Sequence, residues 1–262
     1  MMGDQLMLTI TSRDNKIYKR IKALKDKKQR EKEGVFLVEG IRGVSDAVKN
    51  GLKPETVVLA EDFTGTAPEC ENTVAFAKRL FAEVSDTQTP QGIIALFPMP
   101  KADFTDLRNS ENSFVIICEN VQDPGNLGTI VRTAHCAGAA GVVLTKGCCD
   151  LFNQKTVRST VASIAAIPVI RGVEAADAIS KLNIMGYRTV AGALTDAAVG
   201  LYEADLSGKI AFIVGNEGNG VTAETVAAAD TVVKIPMSPT AESLNVGIAA
   251  AVIMYEKVRI SR

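Results

Sequence analysis

The sequence predicts an α/β protein in which a small α/β domain precedes a larger one built on a mainly parallel sheet. Short apolar runs alternate with helical segments throughout residues 114–262. This alternation is typical of parallel strands that are covered by helices on both faces. A break at Pro98-Met99-Pro100 and a polar stretch after it separate two such series. We therefore expect an N-terminal domain at 1–103, a linker at 104–113 and a second domain at 114–262.

In the first domain, residues 15–32 are predicted to form a helix. Ile17, Ile21 and Leu24 fall on one stripe of that helix, and lysines and arginines occupy the remainder. A helix at 41–49 ends at Asn50-Gly51, a common helix stop. The other predicted elements are strands at 35–38, 56–60 and 92–97 and a helix at 74–82.

In the second domain, six apolar runs predict strands and a long apolar segment predicts the final helix. The predicted strands are at 114–118, 141–144, 167–170, 189–191, 210–214 and 231–235, and the final helix is at about 244–259.

The cysteines and the histidine argue against a metal site. The five cysteines contain no C-x-x-C pair, and His135 is the sole histidine of the chain, whereas a zinc site usually needs four such ligands at characteristic spacings. Scattered cysteines, odd in number, favour free thiols and a reducing compartment. Because no apolar run is long enough to span a bilayer and no secretory signal is evident, we expect a cytoplasmic protein without a membrane partner.

Charge is distributed unevenly along the chain. The net charge is −1, yet residues 13–32 contain ten basic and three acidic side chains, a local charge of +7 that leaves −8 elsewhere. A basic segment on an otherwise acidic protein is typical of an arm that binds a polyanion. A solvated helix face is the alternative interpretation.

Three polar loops follow predicted strands of the second domain, at 119–128, 215–220 and 235–246. Ligands of open α/β sheets bind at the carboxyl ends of strands, so these loops predict the site. The second loop has the frame of a P-loop, but Val221 occupies the lysine position, which argues against a nucleoside triphosphatase. It also matches a dinucleotide fingerprint, but no acidic residue follows the next strand to hold a ribose.

Together the three loops closely resemble the signature motifs of the SpoU/TrmH family of RNA 2′-O-ribose methyltransferases. The first motif reads Asp123-Pro124-Gly125-Asn126-Leu127-Gly128, with Arg132 one helical turn further on. The second reads Gly215-Asn216-Glu217-Gly218. The third combines Ile235-Pro236-Met237 with Ser243-Leu244-Asn245-Val246, followed by Gly247 where the family often has serine.

The resemblance implies a deep trefoil knot, built from about Gly192 to the final helix, that binds S-adenosyl-L-methionine. It also implies a homodimer through the knotted domains, for which Ile248, Val252, Ile253 and Tyr255 offer an apolar face on the final helix. The resemblance implies that the cofactor is bound largely by backbone groups. The implied contacts are at Ala193, Gly215, Ile235, Met237 and Leu244.

The N-terminal part resembles the substrate-binding domain of many family members, which itself resembles RNA-binding ribosomal proteins. This similarity rests on Ile10-Thr11-Ser12, Asn15, the basic helix and Phe36-Leu37-Val38-Glu39-Gly40. It implies ribosomal RNA as the substrate. The expected RNA contacts are Lys19, Arg20, Lys27 and Lys28.

Five polar residues are the candidates for the reaction: Asn126, Arg132, Glu217, Ser243 and Asn245. Family resemblance assigns activation of the ribose hydroxyl to Arg132. Because a guanidinium stays protonated in proteins, gripping a phosphate and stabilising developing alkoxide charge is the alternative role. Glu217 is a candidate to orient Arg132 by an ion pair. Ser243 is a candidate either for catalysis or for capping the final helix, with Asn245 packed in its first turn.

Three other functions remain to be weighed. The first is a transfer-RNA methyltransferase, which the extra N-terminal domain disfavours. The second is an inactive RNA-binding factor, against which the intact polar residues of the loops count. The third is a nicotinamide oxidoreductase, which the missing ribose-binding acid disfavours.

Overall fold

The structure is a computed structural model that describes residues 9–160 and 163–262. The chain forms two compact units. The first contains the residues up to Pro100 together with Phe152–Ala165, and the second contains Lys101–Leu151 and Ala166–Arg262. The first unit is therefore made of two separate stretches of the chain.

Within the described residues, the first unit has a five-stranded mixed sheet in the order β1-β4-β3-β5-β2. Strands β1, β4 and β3 are parallel, whereas β5 runs antiparallel to both β3 and β2. The strands are β1 (Thr9–Ile10), β2 (Val35–Glu39), β3 (Thr56–Ala60), β4 (Thr73–Phe76) and β5 (Ile93–Pro98). The helices from this part of the chain are α1 (Lys16–Ala23), α2 (Lys27–Glu33), α3 (Ile41–Lys49) and α4 (Lys78–Val84).

The predicted helix at 15–32 is two helices. The chain turns between them because the Asp26 side chain accepts hydrogen bonds from the backbone N–H groups of Lys28 and Gln29 and so starts α2. Arg30, which is buried, donates to the carbonyl oxygens of Leu24 and Lys25 at the end of α1, over 2.8 and 2.7 Å. The predicted apolar stripe is correct, since it packs into the core of the first unit.

The predicted helix at 74–82 is wrong in its first half. Residues Thr73–Phe76 form strand β4, which pairs with β3 and places Phe76 in the core. Sheet pairing therefore overrides the helical pattern of the alanines there. The helix begins only at Lys78, whose backbone N–H donates to the Glu61 carboxylate over 2.8 Å.

In the part of the chain that is described, the second unit has a seven-stranded parallel sheet in the order β10-β12-β9-β11-β6-β7-β8. Its strands are β6 (Phe114–Cys118), β7 (Gly141–Thr145), β8 (Val169–Val173), β9 (Arg188–Gly192), β10 (Val199–Gly200), β11 (Ile210–Val214) and β12 (Thr231–Lys234). Its helices are α5 (Pro124–Cys136), α7 (Ala175–Ile184), α8 (Ala223–Ala228) and α9 (Val246–Ile260). The predicted parallel sheet is confirmed, although β8 begins two residues later than predicted.

Helix α6 (Gln154–Thr160) belongs to the stretch that joins the first unit. Phe152, just before it, is buried and its ring lies 4.8 Å from the ring of Phe36 in β2. Arg158 of α6 forms an ion pair of 2.7 Å with Asp86. The stretch therefore completes the core of the first unit on one face of β2.

The final helix α9 is held at both ends. Its N-terminus is capped by Asn245, whose side-chain oxygen accepts from the backbone N–H groups of Gly247 and Ile248. Near its C-terminus, the buried Lys257 donates to the carbonyl oxygens of Leu206 and Gly208 over 2.8 and 2.7 Å. Burial is the main cause that lowers the pKa of Lys257. These contacts fix the helix against the loop before β11.

Among the described residues, no helix combines the length and the hydropathy that crossing a bilayer requires. All five cysteines are free thiols.

Candidate active site

A cavity of about 820 Å³ lies in the second unit, at the carboxyl ends of β9, β11 and β12. Because these strands are parallel, the loops that follow them meet at one edge of the sheet. The five residues predicted to contact the cofactor all line this cavity: Ala193, Gly215, Ile235, Met237 and Leu244. The volume is in the range of about 300–1,000 Å³ that is typical of small-molecule sites.

The loop after β11 is closed by its own backbone. Asn216 and Gly220 exchange two backbone hydrogen bonds of 2.9 Å, and the Asn216 side chain accepts from the N–H groups of Gly218 and Asn219. A Cβ atom on Gly215 would lie 2.0 Å from the carbonyl carbon of Gly220. Only glycine therefore fits at position 215, and the absent side chain leaves room for the cavity wall.

A buried carboxylate joins the start of α8, directly after this loop, to the loop that follows β6. Glu119, at the end of β6, accepts hydrogen bonds from the backbone N–H and the hydroxyl of Thr222, both 2.9 Å long. It also accepts from the hydroxyl of Thr225 over 2.6 Å. Glu119 was not among the predicted site residues, although the sequence does show an acidic residue directly after a strand-like apolar run.

Three of the predicted catalytic residues form one hydrogen-bonded chain. The Asn126 side-chain amide donates to Oε1 of Glu217 over 3.0 Å, and its Oδ1 accepts from the Asn245 amide over 2.9 Å. Asn126 lies in α5, Glu217 in the loop after β11 and Asn245 at the start of α9. The structure thus brings the three motifs together through one asparagine.

Glu217 is held as a carboxylate. Burial opposes its ionisation, but hydrogen bonds donated by Asn126 and by the backbone N–H groups of Asp123 and Gln122 outweigh that effect and lower its pKa. Its oxygens therefore serve as acceptors that pin the first motif to the second.

Arg132 is exposed on α5. The candidate ion pair between Arg132 and Glu217 is not formed. Within residues 9–160 and 163–262, Arg132 makes no side-chain hydrogen bond or ion pair. Glu217 instead accepts hydrogen bonds from the Asn126 side chain and from two backbone N–H groups. The position of the guanidinium is therefore set by its place on α5 and not by a bond to another described residue, and it is accessible to a substrate.

Ser243 lies exposed on the rim of the cavity and does not cap α9. The capping residue is Asn245, two positions later. Of the two roles left open for Ser243, capping does not apply, because the helix begins only at Val246 and the side chain of Asn245 already occupies the cap. Gly247 lies where α9 packs on α5: a Cβ there would be 3.3 Å from Cγ2 of Thr129.

The four lysines and arginines predicted to bind RNA have different surroundings. Arg20 forms ion pairs of 2.6 Å with both Glu33 and Glu55, so its guanidinium is used within the first unit. Lys19 is exposed and pairs with Asp14. Lys27 lies 3.8 Å from Glu31, and Lys28 is exposed on the same helix. Accessible positive charge in this group comes from the lysines.

The cavity has the chemistry that the implied cofactor requires. Its lining combines apolar side chains such as Val226, Ile235 and Ile253 with the backbone of two loops, which suits an adenine ring. The hydroxyl of Thr195, a residue of its lining, is buried and has no hydrogen-bond partner among the described residues. No cluster of three or more His, Cys, Asp or Glu side chains that would hold a metal ion occurs among the described residues.

A family model described as the SpoU rRNA Methylase family matches residues 113–255, which is more than half of the chain. The chain belongs to this family. A second model, described as the MRM3-like substrate binding domain, matches residues 15–95. Membership in the SpoU family confirms the predicted methyltransferase activity and the S-adenosylmethionine cofactor. The second model confirms an N-terminal substrate-binding domain.

Two curated relatives and one solved structure match almost the whole chain. A Bacillus subtilis protein named 23S rRNA (guanosine(2553)-2′-O)-methyltransferase RlmP is 38% identical, over 95% of this chain and 98% of its own length. A Streptomyces viridochromogenes protein named 23S rRNA (uridine(2479)-2′-O)-methyltransferase is 29% identical, over 95% of this chain and 91% of its own. The crystal structure of an rRNA methyltransferase from Sinorhizobium meliloti with bound AdoMet is 30% identical, with a TM-score of 0.86 over 97% of this chain and 98% of that one.

Proposed function

We propose that this SpoU methyltransferase transfers a methyl group from S-adenosylmethionine to a ribose 2′-hydroxyl of ribosomal RNA. The observation that carries the proposal is the hydrogen-bonded chain from Glu217 through Asn126 to Asn245, which joins all three motifs beside one cavity. Both of the curated relatives described above are named as enzymes that act on the 2′-oxygen of 23S ribosomal RNA.

The cofactor supplies an electrophilic methyl group on a sulfonium. The demanding partner is the ribose hydroxyl, which must approach in line and lose its proton. Arg132 is suited to this partner, because an exposed guanidinium that is not used by the described chain can grip the adjacent phosphate and stabilise negative charge on the 2′-oxygen. Ser243 on the cavity rim is the second candidate for contact with the ribose.

Asn126, Glu217 and Asn245 act differently, as positioning residues. Their side chains are satisfied by one another and by backbone groups, so they set the spacing between the first motif, the cofactor loop and α9. A reaction that depends on an aligned pair of atoms is sensitive to such spacing.

Ribosomal RNA is favoured over transfer RNA by the N-terminal part of the chain, which matches a substrate-binding domain. Lys27 and Lys28, exposed on α2, are proposed to contact phosphates there, together with Lys19. Because one relative is named for a guanosine and another for a uridine, we propose the ribose 2′-hydroxyl as the acceptor without assigning a base.

We propose a homodimer through α9. Ile248 and Tyr255 are each 51% exposed and lie on one stripe of the helix with the half-buried Val252. Ile253, predicted to belong to this face, is instead buried in the second unit. Free thiols and an RNA substrate support a cytoplasmic location.

Methyl transfer to defined RNA tests the function. We expect label from [methyl-³H]S-adenosylmethionine to enter large-subunit ribosomal RNA from cells that lack this gene, and the label to map to a 2′-O-methyl nucleotide. Ribosomal RNA from cells with the gene should accept little, because its site is already methylated. Incorporation into transfer RNA, or into a base, would contradict the proposal.

A pair of glycine variants links that activity to the cavity. Gly215→Ala should abolish cofactor binding and methyl transfer because its Cβ meets backbone at 2.0 Å. Gly218→Ala is the control in the same loop, since its Cβ would approach nothing closer than 3.5 Å.

A further inference from the structure

Asn120, two residues after the end of β6, has a backbone conformation that is rare for its residue type. Among the described residues it is the one non-glycine residue with a positive φ angle, 54°. The left-handed region is costly for a residue that has a Cβ atom, although asparagine tolerates it better than most. Residues in such conformations cluster at active sites, and they persist only where the surrounding structure holds them.

The contacts that hold this conformation are not local. The backbone N–H of Asn120 donates to the hydroxyl of Thr145, 25 positions away, over 3.2 Å. Its carbonyl oxygen accepts from the side chain of Asn216, 96 positions away, over 2.9 Å. A left-handed asparagine that only made a tight turn would need neither contact. Asn120 therefore connects the loop after β7 with the loop after β11.

The side chain of Asn120 lies in a space that a glycine leaves open. A Cβ atom on Gly147, in the loop after β7, would be 2.1 Å from Oδ1 of Asn120. The same loop also holds the next residue, since the backbone N–H of Cys149 donates to the carbonyl oxygen of Val121 over 2.9 Å. The loop after β7 thus accommodates Asn120 in this conformation.

The first motif begins directly after these contacts. The two backbone N–H groups that follow next in the chain donate to Glu217, and the motif continues into α5, which carries Asn126 and Arg132. The left-handed conformation of Asn120 therefore sets the direction in which the chain leaves the sheet toward that helix. The described residues that line the cofactor cavity include none from 119–126.

We propose that Asn120 is a positioning residue for methyl transfer, which acts through Asn126 and Arg132. Its left-handed conformation, held by the two neighbouring loops, places the first motif against the second. The inference rests on the proposed methyl transfer to ribosomal RNA. An aligned pair of reacting atoms is sensitive to such placement, because a displacement of about 1 Å can lower the rate about 10²-fold.

Three substitutions of Asn120 test the role of the conformation. Glycine adopts a positive φ without strain, alanine is strained there, and the β-branched valine is strained most. The single-turnover rate on ribosomal RNA should stay within about threefold of wild type in Asn120→Gly, fall about tenfold in Asn120→Ala and fall about 10²-fold in Asn120→Val. Calorimetry should show an affinity for S-adenosylmethionine close to wild type in all three, because the loop after β11 is closed by its own backbone.

A second set of substitutions tests the contact with Gly147. Gly147→Ala should lower the rate about tenfold or more, because its Cβ would meet the Asn120 side chain. Combining it with Asn120→Gly removes that clash, so the double variant should recover most of the rate. Gly138→Ala is the matched control. Gly138 has a φ of 75°, compared with 91° at Gly147, but beyond its chain neighbours no described atom lies within 4 Å of a Cβ there. The control should melt at a lower temperature and keep the wild-type rate.

A wild-type rate in Asn120→Val, a loss in Asn120→Gly as large as in Asn120→Ala, or no recovery in the double variant would each overturn the inference. An equal loss of rate and of cofactor affinity in Asn120→Ala would also overturn it, since a residue that only supports the fold would behave in that way. The alanine and double variants decide even if Asn120→Val does not fold. If the wild-type protein transferred no methyl group to ribosomal RNA, the proposed function would be wrong, and this inference with it.

Discussion

Asn126 donates its side-chain amide to Glu217 over 3.0 Å, although the two residues are 91 positions apart in the chain. The same asparagine accepts from Asn245, so its amide must be oriented with the nitrogen toward the carboxylate. An aspartate cannot donate to Glu217, and an alanine can neither donate nor accept. The three motifs therefore depend on one side chain that has both a donor and an acceptor.

Asn126→Asp should be more damaging than Asn126→Ala, because it places a second carboxylate against Glu217. We expect methyl transfer to fall about 10²-fold in the aspartate variant, the loss that a misplacement of about 1 Å can cause. Single-turnover rates at saturating cofactor measure this effect. In Asn126→Ala the Glu217 pKa should rise, since one hydrogen bond to its charged form is removed. Equal rates in the two variants would contradict the assigned geometry.

Arg132→Ala should lower methyl transfer by about 10² or more while leaving folding and cofactor affinity close to wild type, because the side chain is exposed and bonds to no described group. Arg132→Lys should recover part of the rate through its charge. Arg108→Ala, exposed in the same unit, is the control. A wild-type rate in Arg132→Ala would remove Arg132 from the reaction.

Substitutions in the basic segment should have two different effects, one on RNA binding and one on stability. Lys27→Gln with Lys28→Gln should weaken RNA binding and lower the slope of log affinity against log salt by about one unit for each phosphate that the protein no longer neutralises. The melting temperature should not change. Arg20→Gln should lower the melting temperature instead, because Glu33 and Glu55 lose their shared partner. Filter binding at several salt concentrations decides, with exposed Lys53→Gln as the control.

Glu83 should make the first unit sensitive to acid. Hydrogen bonds from Arg13 and Tyr18 lower its pKa from 4.5 to about 2. A depressed pKa stabilises the folded state above pH 4.5, and the contribution disappears as the pH falls toward 2. Glu83→Gln should therefore melt lower at neutral pH and show a weaker pH dependence between those values. Exposed Glu71→Gln should behave as wild type in thermal melts across this range.

Ile248→Asp combined with Tyr255→Asp should produce a monomer in light scattering at micromolar concentration, because two charges would lie on the exposed stripe of α9. Ile184→Asp is a matched control, since Ile184 is 83% exposed on α7, away from that stripe. An active wild-type monomer would exclude the dimer.

Periodicity predicted most of the fold. The strands at 114–118 and 210–214 and the helix at 41–49 have the predicted bounds, because a short apolar run between turn signals has few other structures available. The predicted elements were wrong where contacts between residues far apart in the sequence determine the secondary structure. β4 became a strand through pairing with β3, and the basic helix was divided by the Asp26 cap and the Arg30 contacts. The trefoil knot was predicted from family resemblance alone, because no local sequence pattern shows that one segment passes through a loop formed by another.

The sequence predicted which residues would lie together, but not their partners. The five residues predicted to contact the cofactor line one cavity, and Asn126, Glu217 and Asn245 are adjacent. Which of them touch depends on side-chain directions that only the packed loops define. For that reason the candidate ion pair of Glu217 with Arg132 is not formed, and the capping role left open for Ser243 belongs to Asn245.

The first unit is made of two separate stretches of the chain, and this affects the order in which the protein folds during synthesis. Its core includes Phe152, so this unit is incomplete until the chain has been synthesised through Ala165. At about 5–20 residues per second, a growing chain that has passed Pro100 needs a further interval of roughly 3–13 s before α6 can dock. During that interval β6, α5 and β7 of the second unit are also being produced. The usual order, in which an N-terminal domain folds before the next one begins, is therefore not available to this chain.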